Sequence, residues 1–332
     1  MNLLMKRLFA RNETLVSLVL VAFCALTAWV EPSFLTLPTL FDLLRNGIVT
    51  AMFAVGVLLV LASGGIDVSF TAISAFAMYV GTKAMIAFGM GDSILVAFLV
   101  AGGIGLLLGL INGFFIATLR LPTLIVTLGT LNVFQGFLLT FIGTVLITAV
   151  PNGMRDFSRT MLFRLTEPDG TIISLPIAFL LVVAAAALTS FILNRTMLGR
   201  SVYALGGAPE SALRIGVNVV AVQYFVYAYV GVLSGITGIV HASLARVANP
   251  FDLVGLELSV IAAVVLGGAR LSGGHGTITG TLLGVALIVV VNNSLIVLGI
   301  PTTWQNVVTG CLILLGTGVP ALRARFAALQ EE

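Results

Sequence analysis

Charge is scarce in this sequence: Asp, Glu, Lys and Arg make up 9% of its 332 residues, and lysine occurs only at Lys6 and Lys83. A water-soluble domain carries about 25% charged residues. This chain therefore cannot clothe a water-facing surface, and most of it must face lipid or its own helices. Its 59% hydrophobic content and mean hydropathy of +1.17 agree. Cysteine is almost absent. Cys24 and Cys311 both lie in apolar runs, which argues against a disulfide framework and for small apolar side chains. The two histidines, His241 and His275, have no partner at metal-ligand spacing, so no metal site is expected. His241 ends an apolar run and reads as a satisfied interfacial residue. No Gly-x-x-x-x-Gly-Lys-[Ser/Thr] phosphate loop occurs, so the chain is not itself an ATPase. Nor does a nucleophile–base constellation mark a membrane enzyme, or a Lys/Arg stripe a nucleic-acid surface.

What is present is a succession of long apolar runs. Crossing the hydrocarbon core takes about 20 such residues. Candidate spans fall at 14–30, 42–62, 68–88, 93–117, 122–145, 175–193, 220–242, 257–271, 277–298 and 303–320. The expected fold is an all-α integral membrane protein of about ten transmembrane helices, a single transmembrane domain over residues 1–332. The eighth span is short and glycine-ended, which suggests a broken or partly re-entrant helix. Lys6, Arg7 and Arg11 precede the first run as in a signal peptide, but the run ends in Trp29-Val30-Glu31-Pro32 with no small-residue cleavage site. A retained first helix is expected.

An even number of spans puts both termini on one side. With the N-terminus inside, the inner set is Lys6, Arg7, Arg11, Arg120, Arg195, Arg200, Arg214, Arg270, Arg323 and Arg325. The outer set is Arg45, Lys83, Arg155, Arg159, Arg164 and Arg246. Cytoplasmic loops retain Lys and Arg, so both ends are expected in the cytoplasm, with an external loop at 146–174 and a cytoplasmic loop at 194–219. The pattern Leu107-Leu108-Gly109, Asn112, Leu121-Pro122-Thr123 returns as Leu282-Leu283-Gly284, Asn292-Asn293, Ile300-Pro301-Thr302. Five helices separate the two, as in an inverted repeat; recurrence of small packing residues gives the same pattern.

The cytoplasmic segment is the most informative. Gly206, Gly207 and Pro209 mark a turn, and Glu210 opens a short helix where its carboxylate meets the helix dipole. Ala204, Ala212 and Gly216 keep the surface low, so another protein's backbone can approach. Asp67, after Gly64 and Gly65, is either a pathway carboxylate or a cap for the helix that follows. Glu257 opens another helix. Gly267, Gly268, Gly273 and Gly274, with Gly276 and Gly280, either permit close packing or form a kinked corner of a gate. Asn112, Asn132, Gln135, Asn292, Asn293, Gln305 and Asn306 lie within or at the ends of apolar spans. Such amides need partners or a water-filled path, and an amide both donates to and accepts from sugar hydroxyls.

Glu210-x-Ala212 followed by Gly216 resembles the coupling loop of ATP-binding-cassette import permeases. Gly199-Arg200-Ser-Val-Tyr203-Ala204-Leu-Gly206-Gly207 is similar to the version in the ribose, xylose, arabinose and galactoside permeases, with Ala208-Pro209 where those commonly have Asn. Ser63-Gly64-Gly65-Ile66-Asp67-Val68-Ser69, Pro122-Thr-Leu-Ile-Val-Thr127-Leu-Gly129-Thr130 and the run from Gly255 to Thr281 resemble further segments of that family, in order. The resemblance implies a permease working as a pair, identical or mixed, with two ATPase subunits that bind ATP and Mg and an external sugar-binding protein. This chain would itself hold no cofactor. The related branched-chain amino-acid permease is an alternative. An ion-coupled secondary transporter is another, against which every acid here lies in a loop or near a helix end.

Overall fold

The computed structural model describes residues 12–166, 172–301, 303–305, 307–311, 314 and 318. Inside a bilayer the backbone must satisfy its own hydrogen bonds, so apolar runs become helices. In chain order these are α1 (Asn12–Val30), α2 (Leu37–Asn46), α3 (Ile48–Ala62), α4 (Phe70–Ala87), α5 (Ile94–Gly113), α6 (Thr123–Phe137) and α7 (Asn152–Arg159). A hairpin of β1 (Met161–Thr166) and β2 (Ile172–Pro176) follows. Then come α8 (Phe179–Arg195), α9 (Met197–Gly207), α10 (Pro209–Arg214), α11 (Val219–Ala245), α12 (Glu257–Leu266) and α13 (Ile278–Val297). Turns of π-helix continue α5 to Thr118 and α6 to Ile142.

Among the described residues five helices, α4, α5, α6, α11 and α13, are long and apolar enough to cross a membrane, or up to seven spans if each of two bent pairs counts as one. The chain is a multi-pass membrane protein. The expected span 42–62 is not one straight helix: it starts at Leu37 and bends by 47° at Gly47 between α2 and α3. The expected span 175–193 begins as strand, continues as α8, and turns by 76° into α9. The eighth span is the ten-residue α12. At 1.5 Å per residue that is about 15 Å, half of a hydrocarbon core of about 30 Å, in keeping with a broken helix. The expected span 303–320 is described only in part, and both chain ends lie outside the described residues.

The segment 146–174, expected as a loop, carries regular structure. It holds α7 and the hairpin, in which Arg164 pairs with Ser174. The Phe163 ring meets Phe41 of α2 edge-on at 5.1 Å, and Ile147 pairs with Ala248 beyond α11.

α3 is the centre of the bundle. Every residue from Ala51 to Ala62 is buried, as expected of a helix that is hydrophobic all round. α11 crosses α5 with backbones in contact. A Cβ at Gly231 would lie 2.2 Å from the Gly105 carbonyl oxygen, and one at Gly235 would lie 2.1 Å from that of Ala101. This is the small-xxx-small packing by which membrane helices gain dispersion energy where lipid removes the hydrophobic drive.

Candidate functional site: a glycine junction and a polar cavity

Three glycine-bearing segments far apart in the chain meet at the end of α3. The α9 helix is capped by Thr196, whose hydroxyl accepts the Gly199 amide at 3.2 Å, and it ends at Gly206-Gly207. There it abuts the turn after α3: a Cβ at Gly206 would lie 2.1 Å from the Ala62 carbonyl oxygen and 2.5 Å from the Gly274 nitrogen. Gly273 has φ +87°, and its α-carbon faces Gly206 and Gly64 so closely that a Cβ would lie 2.7 Å from each Cα. The Gly274 amide donates to the Ala62 carbonyl at 3.0 Å. The Tyr203 hydroxyl donates to the Gly276 carbonyl at 2.7 Å. The turn is tied on its other side to the start of α6. Thr123 Oγ1 accepts the Ile66 amide at 3.0 Å and the Thr127 hydroxyl donates to the Ile66 carbonyl at 3.2 Å.

Beyond the junction, α9 and α10 form an angled arm. Ala212 is buried; Arg200, Glu210 and Gly216 are exposed. The arm also presents Leu213, 60% exposed, and Ile215, 75% exposed. Sequence reasoning passes over both, although they flank Arg214 in the segment it singles out. Gly206 and Gly207, expected in a turn, instead complete α9, and the break falls at Ala208.

Two carboxylates, one in the link after α3 and one at the start of α12, are buried. Asp67, in the link between α3 and α4, accepts the amide and the hydroxyl of Ser69, each at 2.7 Å. Asp67 thus holds the turn before the helix that begins at Phe70, whose N-cap is Ser69. Asn112 donates to the Ser69 hydroxyl at 2.7 Å. Glu257, first residue of α12, accepts the Gly255 amide at 3.0 Å and the Thr71 hydroxyl, tying α12 to α4. Both acids do lie at helix ends, as the sequence indicates, yet they are only 2% and 8% exposed. Gly268 adopts φ +97°, and a Cβ at Gly267 would lie 2.2 Å from the Gly280 carbonyl oxygen; the run serves both as close packing and as a corner.

A cavity of about 310 Å³ lies at the opposite ends of α3 and α13 from this junction. Asn292, Asn293 and Gln305 line it together, three of the amides that the sequence picks out. Asn46, Thr50, Ser259 and Thr309 complete its polar wall; sequence reasoning misses these four, although Asn46 also interrupts an apolar run. The other amides are elsewhere. Asn112 is buried at Ser69, and Asn132 is exposed on α6 with its amide on the Leu128 carbonyl at 2.8 Å. Gln135 is half-buried on the same helix. Asn306 lies outside the described residues. His241 is paired with Asp252 at 3.2 Å, and no cluster of potential metal ligands exists among the described residues.

The family model described as branched-chain amino acid transport system / permease component matches residues 39–316. The autoinducer 2 import system permease protein LsrC of Yersinia pseudotuberculosis is 34% identical over 318 residues, covering 96% of this chain and 86% of that protein. LsrC of Yersinia enterocolitica is 33% identical over 311 residues, covering 93% and 82%. No solved structure matches the chain.

Proposed function

The chain belongs to the permease family described as branched-chain amino acid transport system / permease component, and from that premise we propose that it is the membrane-embedded permease subunit of an ATP-binding-cassette importer for a sugar or sugar-like polyol. The relatives named for autoinducer 2 import support import as the activity. The observation that carries the mechanism is the backbone contact of Gly206 with Ala62 and Gly274. A displacement of the α9–α10 arm cannot be absorbed by side chains there, because none intervene. It must pass to α3 and to the turn before α13. The two helices run from the junction to the polar cavity, and α3 alone spans about 22 Å at 1.5 Å per residue.

In this reading two ATPase subunits, holding ATP and Mg, grip the arm at Leu213, Ile215 and Glu210. An external binding protein docks on 31–41, 146–174 and 243–256. A second permease subunit covers the α6 face on which Asn132 is exposed, since an amide facing lipid is costly. The chain crosses the inner membrane ten times, α12 being a broken span, with both ends in the cytoplasm. An amino-acid cargo is disfavoured because the described residues lining the cavity carry no charge to pair with a zwitterion. Ion coupling is disfavoured because Asp67 and Glu257 already have hydrogen-bond partners.

Leu213→Asp with Ile215→Asp should leave insertion intact, since exposed positions tolerate change within about 0.5 kcal/mol. ATP-driven uptake in proteoliposomes should fall by about tenfold or more, the effect of losing at least about 1.4 kcal/mol of coupling contact. Normal uptake in the assembled variant would refute the arm's role.

A further inference from the structure

We propose that the polar cavity is a binding site for the cargo inside the permease itself, selective for neutral, hydroxyl-rich molecules and closed to anions and zwitterions. The inference rests on the importer reading and names what that importer's path recognises. Its first support is an unmet need. Asn292 Oδ1 and Asn293 Oδ1 are buried yet have no hydrogen-bond partner among the described residues. A buried acceptor left unpaired keeps the full cost of its desolvation. Two such acceptors on adjacent residues, both lining one cavity, leave a site waiting for donors.

The second support is the chemistry of the wall. Thr50, Ser259 and Thr309 bring hydroxyls, Asn46 and Gln305 bring amides, and no charged residue lines the cavity among the described residues. A cargo hydroxyl donates to the asparagine oxygens and accepts from the wall's hydroxyls and amide nitrogens. A carboxylate or phosphate dianion has nothing to donate to those oxygens. It would also bring charge into a site with no counter-charge, where desolvation is not repaid. Val260, Ile288 and Val289 supply an apolar side against which the C–H face of a polyol ring can pack, the usual composition of a small-molecule site.

The third support is contrast and position. A larger cavity, about 410 Å³, opens beside α1, α2, α8 and α13, but its lining is apolar apart from the Cys24 thiol. It cannot recognise hydroxyls. The polar cavity lies where α2 breaks from α3 and where α12 begins after an irregular segment. Broken helices at membrane depth are where transporter folds place cargo, because only there are backbone and side-chain polar groups free to turn inward.

The test uses the assembled importer in proteoliposomes, with Cys24→Ala and Cys311→Ala removing the native thiols and Ser259→Cys placing a new one in the cavity. Labelling of that thiol by a small water-soluble methanethiosulfonate is timed with autoinducer 2, D-ribose, D-ribose 5-phosphate or L-leucine present. The thiol should react, and at least one of the two neutral compounds should slow it by about tenfold at roughly ten times its Kd, since protection follows 1 + [L]/Kd. Ribose 5-phosphate and leucine should not protect. Asn292→Leu and Asn293→Leu should abolish protection, Gly103→Ala should not, and Asn292→Ala with Asn293→Ala serves if the leucine variants fail to insert. An unreactive thiol, no protection by either neutral compound, or protection that survives loss of the amides overturns the site. Equal protection by the phosphate or by leucine overturns the selectivity. ATP-driven uptake by the same vesicles separates the two claims. Uptake without protection defeats the cavity alone, and protection without ATP-driven uptake defeats the importer reading alone.

Discussion

Asp67 is the residue at which burial and hydrogen bonding oppose each other most directly. It lies in the link between α3 and α4, and burial raises its carboxyl from the ordinary 3.8 to about 6, against the lowering effect of bonds from Ser69 and Phe70. Between those two values the folded state holds a proton that the unfolded state has released. Stability is therefore full below about pH 4, falls as pH rises through 6, and is constant again above about pH 7, with a total loss of the order of 3 kcal/mol. Asp67→Asn keeps an acceptor for the Ser69 amide and does not titrate. The melting temperature of the wild type minus that of this variant should therefore decline from pH 4 to pH 7 and then level off. A difference that stays flat over this range would show that the carboxyl does not titrate there. Tyr203 acts at the same scale, since its hydroxyl bond to Gly276 is a side-chain tie between the arm and the turn before α13.

At the scale of elements, glycine placement decides which helices touch. The α5–α11 crossing leaves no room for a single methyl: the nearest atom to a Cβ at Gly231 would be the Gly105 carbonyl oxygen, at 2.2 Å. Backbone cannot rotate aside as a side chain can. Gly231→Val should therefore cost more than the about 1–3 kcal/mol typical of overpacking, read as a large fall in melting temperature or a failure to accumulate. Gly103 lies on the same α5 with nothing within 4 Å of a Cβ. Gly103→Ala should stabilise by about 0.5–1 kcal/mol through the lower entropy of alanine in a helix. Thermal unfolding of both variants in nanodiscs tests the contrast, and equal effects would remove the crossing as its cause.

For the whole molecule, the arm and the hairpin lie at opposite ends of α8, which joins β2 to α9 and spans about 25 Å. In the proposed importer, one end faces the ATPase and the other the binding protein. With native cysteines removed, a membrane-impermeant maleimide added to intact cells should label Arg164→Cys in the hairpin and leave Arg214→Cys in the arm untouched. Inside-out vesicles should give the reverse. Labelling of Arg214→Cys from outside would invert the molecule and end the importer reading.

Much of this organisation is legible in the order of residues alone. Hydropathy is a local property, so the apolar runs mark helices such as α4, α11 and α13 to within a few residues, and the glycine-ended run after Gly255 announces a broken span. The short helix α10 is legible in the same way, because Pro209 and Glu210 open it directly after Gly206 and Gly207. The 47° bend at Gly47 and the pairing of 161–166 with 172–176 are not, since each depends on what packs against it. Only the tertiary structure brings Gly64, Gly206 and Gly273 to one point, and only it gathers Asn292, Asn293 and Gln305 into one cavity while sending Asn112 and Asn132 elsewhere. Composition determines that a chain enters the bilayer and where it turns. Which faces then meet depends on the fit of backbone to backbone between segments distant in sequence, and no local pattern carries that information.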